Sequence, residues 1–339
     1  MERRDFLKSA TAAGVAAASG AAVGQSAPAA HGATKRAEAP GMLYRELGTT
    51  GERVSAIGMG GFHLGKQSSA EESIALCRKG VDSGLTFLDN CWDYNEGISE
   101  VRMGRALQDG YRQKVFLMTK LDGRTKEAYN KQLEESLGRL RTDVIDLVQF
   151  HEVLRMEDPD RIFASGGAME AAMEAKSAGK IRYIGFTGHK DPAVHLRMFE
   201  VAQQHQFKFD TVQMPINVMD AHFRSFLHQV VPVAQKAGTG VLAMKTFGDD
   251  YILRSGTVQP MDALHFGLSQ PVSVVITGID KPEILEQALQ AAKTFQPLTA
   301  EQQAAILSKT EQAAMSGKFE LFKTTNHFDG TAQNPKWLG

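Results

Sequence analysis

Four side chains able to move protons or charge lie at, or just beyond, the ends of three successive apolar runs. Phe87-Leu88-Asp89 ends in a carboxylate, and Tyr94 follows five residues later. Val115 to Thr119 runs into Lys120, and Ile145 to Phe150 runs into His151. Together they suit the addition or removal of hydride at a carbonyl. Hydride attack leaves an alkoxide, and a phenol can protonate it. The free phenol pKa of about 10 is high for that work, so Lys120 is expected to pull the Tyr94 pKa down. Asp89 would keep the lysine charged and in place. His151 would donate a hydrogen bond to the carbonyl oxygen and orient it. Singly, each has a plain reading: a turn cap, a packing tyrosine, a solvated lysine, a satisfied histidine. The joint placement in successive units carries the chemistry.

Such a set needs strands to hold it. Eight apolar runs recur along the chain: Ile57–Gly60, Thr86–Asp89, Val115–Thr119, Ile145–Phe150, Tyr183–Thr187, Thr211–Met214, Val241–Met244 and Ser273–Thr277. Helical patterns separate them, among them Ala70–Ser83, Lys126–Leu140, Ala168–Ala178, Val194–His205 and Phe223–Ala237. Near-continuous apolar strands alternating with helices predict parallel strands covered on their outer face. Units of roughly 25–35 residues predict an α/β (β/α)8 TIM barrel, with catalytic groups at the carboxyl ends of its strands. Tyr44–Leu47 and Val54–Ile57 around Gly48-Thr49-Thr50-Gly51 predict an N-terminal β-hairpin. The segment after Pro297 predicts one helix, Ala300–Met315, and an irregular tail that packs on the barrel or over its mouth. Gly58-Met59-Gly60-Gly61 lacks the third glycine of a dinucleotide fingerprint, which weighs against a doubly wound sheet.

Composition limits the partners. With 339 residues, 42% hydrophobic, 23% charged and a net charge of −1, no global field favours nucleic acid or an anionic membrane. No stable membrane insertion is expected after the N-terminus. The two cysteines, Cys77 and Cys91, form no zinc or iron–sulfur spacing. Cys77 reads as a small buried hydrophobe and Cys91 as a bystander beside the site. His63, His151, His189 and His222 fall on different units without an H-x-H or H-E-x-x-H pair, so no metal site is expected.

The stretches Leu47–Gly51, Gly84–Asp89, Ser136–Leu140, Asp143–Asp146 and Gly179–Gly185 make the chain similar to the aldo/keto reductases from about Tyr44 to Pro297. The resemblance implies that Tyr94 is the proton donor and that Asp89, Lys120 and His151 complete a catalytic tetrad. It implies a small aldehyde, ketone or alcohol as substrate, a monomer, and NADPH lying extended across the mouth. Thr187, with His189 in place of an amide, and Gln213 would hold the nicotinamide carboxamide. Met244 stands where many members have a stacking tyrosine. Lys245 would reach the pyrophosphate, and Gly278 and Lys281 would lie near the adenosine phosphates. Lys281 has Asp280 beside it, and the usual later arginine falls at Ile284, so NADH is the alternative cofactor. Trp92, His63 and Glu152 are candidate pocket residues by position. The altered cofactor residues keep a second class open, a nicotinamide-binding sensor with little turnover.

Residues 1–30 resemble a bacterial twin-arginine (Tat) export signal: Arg3-Arg4 with Phe6-Leu7-Lys8, a weakly apolar Ala/Gly stretch, and small residues at Ala27–Ala30. This predicts recognition by the Tat export machinery and a periplasmic location. Residues 31–42 read as a linker, 43–298 as the barrel and 299–339 as the C-terminal helix and tail.

Overall fold

The computed structural model describes residues 34–339. The signal-like segment 1–30 lies outside the described residues. Among those described, no helix is long and apolar enough to cross a membrane.

Two short strands, β1 (Tyr44–Glu46) and β2 (Arg53–Ser55), pair antiparallel as a hairpin. Then β3 (Ile57–Gly60), β4 (Phe87–Asp89), β5 (Phe116–Leu121), β6 (Ile145–Phe150), β7 (Ile181–Thr187), β8 (Thr211–Pro215), β9 (Gly240–Met244) and β10 (Val274–Gly278) pair in parallel. They run round in chain order, and β10 pairs back onto β3 to close the barrel. Their residues are buried along almost their whole length, as strands with helices outside and side chains inside must be. The fold is the α/β TIM barrel expected.

Phe87, Phe116, Met118, Leu147, Tyr183, Leu242, Val274 and Ile276 fill the interior. Leu47 and Val54 of the hairpin join them, so the hairpin plugs the amino end. Gly48 makes this possible: a Cβ there would stand 2.4 Å from the Gly240 backbone nitrogen. Beside the plug lies a buried ionic cluster. Arg36 pairs with Glu52 at 2.5 Å and Asp146 at 3.1 Å, Arg112 pairs with Asp146 at 2.8 Å, and Arg182 reaches both carboxylates.

Local chemistry sets the helix limits. Ser69, Thr125 and Asp191 each accept a first-turn amide as N-caps, and Thr299 with Gln302 forms a capping box ahead of Ala300–Ala314. One expectation fails. The single helix predicted over Phe223–Ala237 is two, Phe226–Gln229 and Val231–Ala237. Ser225 caps the first, and Pro232, which lacks an N–H, fits only the first turn of the second. Gly238, at φ +68°, ends it.

Candidate active site

Register brings the four proton-handling residues together at the carboxyl end of the barrel. Asp89 ends β4, Lys120 is the penultimate residue of β5, and His151 directly follows β6. Tyr94 follows β4 on a tight loop whose next three residues, Asn95, Glu96 and Gly97, have φ of 52°, 56° and 85°. Consecutive left-handed non-glycine residues are costly and persist only when neighbours hold them. Asn95 supplies that hold, donating to the Phe62 carbonyl at 2.8 Å and to Ser99 Oγ at 2.9 Å. The Phe62 ring meets the Tyr94 ring edge-on at 5.3 Å.

Lys120 is buried, and its Nζ lies 2.6 Å from Asp89 Oδ1 and 2.6 Å from the Asn90 carbonyl. Its third contact is donation to Tyr94 Oη at 3.3 Å. The ammonium therefore occupies a lone pair of the phenol and leaves the phenolic proton free to point outward. Burial raises the Asp89 pKa, and Lys120 opposes that rise. The expectation for Tyr94 is reversed. Burial, then the charges of Asp89, Cys91, Asp93 and Glu152, push its pKa well above the ordinary phenol value. One ammonium does not outweigh burial and so many acidic neighbours, so the phenol stays protonated.

His151 is enclosed on its Nδ1 side. That nitrogen lies 2.9 Å from Asp122 Oδ1, 3.2 Å from Cys91 Sγ and 3.7 Å from Asp93 Oδ1. Burial opposes its charge, but Asp122 and Asp93 outweigh burial and raise its pKa. Among the described residues nothing bonds Nε2, the nitrogen left for a ligand, and the ring meets Tyr94 edge-on at 6.1 Å. Asp122, Asp93 and Cys91 carried no role in the sequence reading. Their spacing matches no motif, and the side-by-side pairing of β4, β5 and β6 is what brings them to one imidazole.

The other predicted residues line the same end. Thr187, which ends β7, and Gln213, in the middle of β8, are register partners, and both are buried. Met244 is half-buried and pairs with Pro215. Gly278 sits against the His63 ring, so close that a Cβ would stand 2.3 Å from it. Lys281 is exposed, outside this group, as the N-cap of helix Pro282–Lys293. Gln213 Oε1, Thr246 Oγ1 and Thr277 Oγ1 are buried without hydrogen-bond partners, on or just after β8, β9 and β10. Orphaned polar atoms of this kind are rare in folded proteins and suit the polar edge of a bound ligand.

The tail after Ala314 crosses this end of the barrel. Glu152 (φ 46°) accepts the amides of Gly330 and Thr331 at 2.9 and 2.7 Å. His189 Nε2 lies 3.0 Å from Asp329 Oδ1, and Lys190 pairs with the other oxygen of Asp329 at 2.8 Å. Lys245 (φ 59°) rests its Nζ 4.4 Å from the Phe328 ring centroid and 5.9 Å from that of Phe322. Trp337 meets Trp92 edge-on at 5.5 Å, while Trp92 Nε1 donates to Glu135 at 2.6 Å. Three residues assigned to cofactor or substrate, His189, Lys245 and Glu152, thus bond the tail.

Residues 56–263 match the model of the aldo/keto reductase family. This chain belongs to that family. It is 30% identical to Aldo-keto reductase YhdN of Bacillus subtilis (strain 168) over 213 residues, covering 57% of this chain and 59% of that one. It is 31% identical to L-galactose dehydrogenase of Arabidopsis thaliana over 156 residues, 42% of this chain and 48% of that one. Against the B. subtilis oxidoreductase YrpG the match spans 65% of the relative, so the chain covers less than two thirds of several curated relatives. In fold it is similar to aldo-keto reductase AKR11C1 from Bacillus halodurans (holo form), with TM-score 0.66 and 24% identity over 79% of this chain and 96% of that one. An aldo/keto reductase from Klebsiella pneumoniae, solved in complex with NADP and acetate, gives TM-score 0.65 at 23% identity over 79% and 95%.

Proposed function

We propose that this barrel interconverts a small aldehyde or ketone and its alcohol by nicotinamide-dependent hydride transfer, with Tyr94 as proton donor. The observation that carries the reading is the Asp89–Lys120–Tyr94 relay beside His151. The bound nicotinamide dinucleotide would supply hydride to the carbonyl carbon. Thr187 and Gln213 would hold its carboxamide, the orphaned Gln213 oxygen fitting an amide donor. Helix Pro282–Lys293 has no side-chain cap, and its first-turn Glu283 amide would face a phosphate. NADPH is the first choice, in keeping with the NADP in the K. pneumoniae relative's complex. NADH remains the alternative, because Lys281 is exposed and stands next to Asp280.

Each residue acts through what it touches. Lys120 bonds Tyr94 Oη from behind, so the phenolic hydrogen is directed at the substrate oxygen. As the alkoxide forms, Tyr94 passes it that proton, and Lys120 stabilises the phenolate left behind. Asp89 keeps the ammonium charged during the step. His151, charged through Asp122 and Asp93, presents Nε2–H to the substrate oxygen. Tyr94→Phe tests the reading: it should still bind NADPH and quench its fluorescence, yet fail to reduce generic aldehydes. Undiminished turnover would remove Tyr94 from the role.

The tail's bonds to His189 and Lys245 favour one specific second reading, a nicotinamide-binding sensor in which the tail reports occupancy. Binding without turnover in the unaltered protein would select it. We further propose a monomer exported through the Tat machinery to the periplasm. Replacing Arg3-Arg4 by Lys-Lys should hold the precursor in the cytoplasm, and export of that variant at the normal rate would refute it.

A further inference from the structure

The group around His151 Nδ1 is chemically odd for a histidine that only needs orienting. One N–H can serve one acceptor, and Asp122 Oδ1 at 2.9 Å takes it. Yet Cys91 Sγ lies 3.2 Å from the same nitrogen and Asp93 Oδ1 3.7 Å. The donor atoms of Cys91, Asp93 and His151 lie within 4.8 Å of one another. Asp93 Oδ1 and Asp122 Oδ2 are buried oxygens without a hydrogen-bond partner, and Asp122 as a whole is inaccessible. Buried carboxylate oxygens left unpaired are expensive.

We propose that Cys91, Asp93 and His151 form a binding site for one divalent transition-metal ion, best suited to zinc, with the Asp122 carboxylate beside it as a counter-charge. Zinc–ligand bonds of about 2.0–2.3 Å place tetrahedral donor atoms roughly 3.3–3.6 Å apart. The separations from Nδ1, 3.2 Å to Cys91 and 3.7 Å to Asp93, bracket that span. The 2.9 Å contact to Asp122 would give way as Nδ1 turns its lone pair to the ion. A thiolate and an imidazole select zinc or cobalt over magnesium or calcium, which prefer all-oxygen shells.

The crowding is of groups that bind cations: the Cys91 thiol and the Asp93 carboxylate both close on one imidazole nitrogen. A divalent ion would replace the thiol proton and the Nδ1 proton, releasing both to solvent. With Nδ1 ligated, the remaining ring hydrogen must sit on Nε2, the nitrogen open to a substrate. An ion would enter past the Asp93 side chain, 14% of which is accessible.

Cobalt(II) titration of the chelator-stripped full-length protein tests the site without reference to turnover. One equivalent should bind, with a thiolate-to-cobalt charge-transfer band and proton release, and zinc should displace it. Cys91→Ser should lose the band, and Asp93→Asn should weaken binding by about tenfold or more. Cys77→Ser should change neither. No uptake by the unaltered protein, a band that survives in Cys91→Ser, or a band lost in Cys77→Ser would each overturn the proposal. Because Asp93→Asn keeps the thiol and the shape, the result does not depend on Cys91→Ser folding.

Discussion

As the proposed acid, Tyr94 is set by two influences pulling in different directions. Lys120 fixes the phenolic oxygen at 3.3 Å, and burial, then the acidic surroundings, keep the proton on it. A donor held this way would stay protonated for carbonyl reduction across the neutral range. The reverse reaction needs the phenolate and should gain rate as pH rises. Tyr94→Phe removes a general acid, so reduction should fall on the order of 10²–10⁴-fold with the fluorescence signal of NADPH binding retained. Single-turnover kinetics with saturating cofactor would check that split. Asp89, Tyr94, Lys120 and His151 were legible in the sequence because strand ends announce themselves as apolar runs. Cys91, Asp93 and Asp122 were not, since no linear spacing encodes a shared imidazole. The direction of the Tyr94 shift was missed for a related reason: burial is a property of the closed barrel, while a lone nearby lysine is visible in the chain.

At the scale of elements, the tail is held by a buried charge cluster in which Glu320 readily holds a proton. Lys323 Nζ lies 2.7 Å from Asp220 and 3.0 Å from Glu320, and Asn217 donates to Glu320 at 3.2 Å. Two carboxylates face one ammonium, and burial chiefly pushes Glu320 up to about 7. A carboxyl with a raised native pKa binds a proton that the unfolded chain gives up. Its contribution is therefore full below the unfolded value of 4.5 and is lost as pH rises toward about 7. Amide exchange across Leu321–Thr324 should be faster at pH 8 than at pH 5.5, after correction for intrinsic exchange. Glu320→Gln should remove most of that difference, and an identical pH dependence in the variant would refute the role given to Glu320. That a tail existed was plain from the sequence. Its course was not, because its anchors, Glu152, His189 and Asp220, lie 103 to 179 residues away.

For the whole molecule, the buried ions beside the hairpin plug tie the chain before β3 to β6 and β7. Burial alone would raise Asp146, but Arg112 and Arg36, with the Leu117 amide, hold it below the usual carboxylate range. A depressed native pKa contributes stability above the unfolded value of 3.8 that is lost as pH falls through the native one. Asp146→Asn keeps the volume but strands buried guanidinium charge. It should cost on the order of 3–5 kcal/mol at neutral pH, measured by urea denaturation, and the cost should shrink in acid. A loss under about 1 kcal/mol would show that the arginines find other partners.

The seam between β3 and β10 sets a further condition on how this molecule comes into being. Ile57 pairs with Val275 and Gly60 with Gly278, so the first barrel strand finds its second neighbour only across some 218 residues. Until β10 arrives, the growing sheet is an open ribbon with two bare parallel edges, each a template for another chain. Contacts so distant in sequence are slow to form. A nascent chain halted short of Gly278 would therefore be more than inactive: it would be adhesive, and the cell would need to shield it for most of its synthesis.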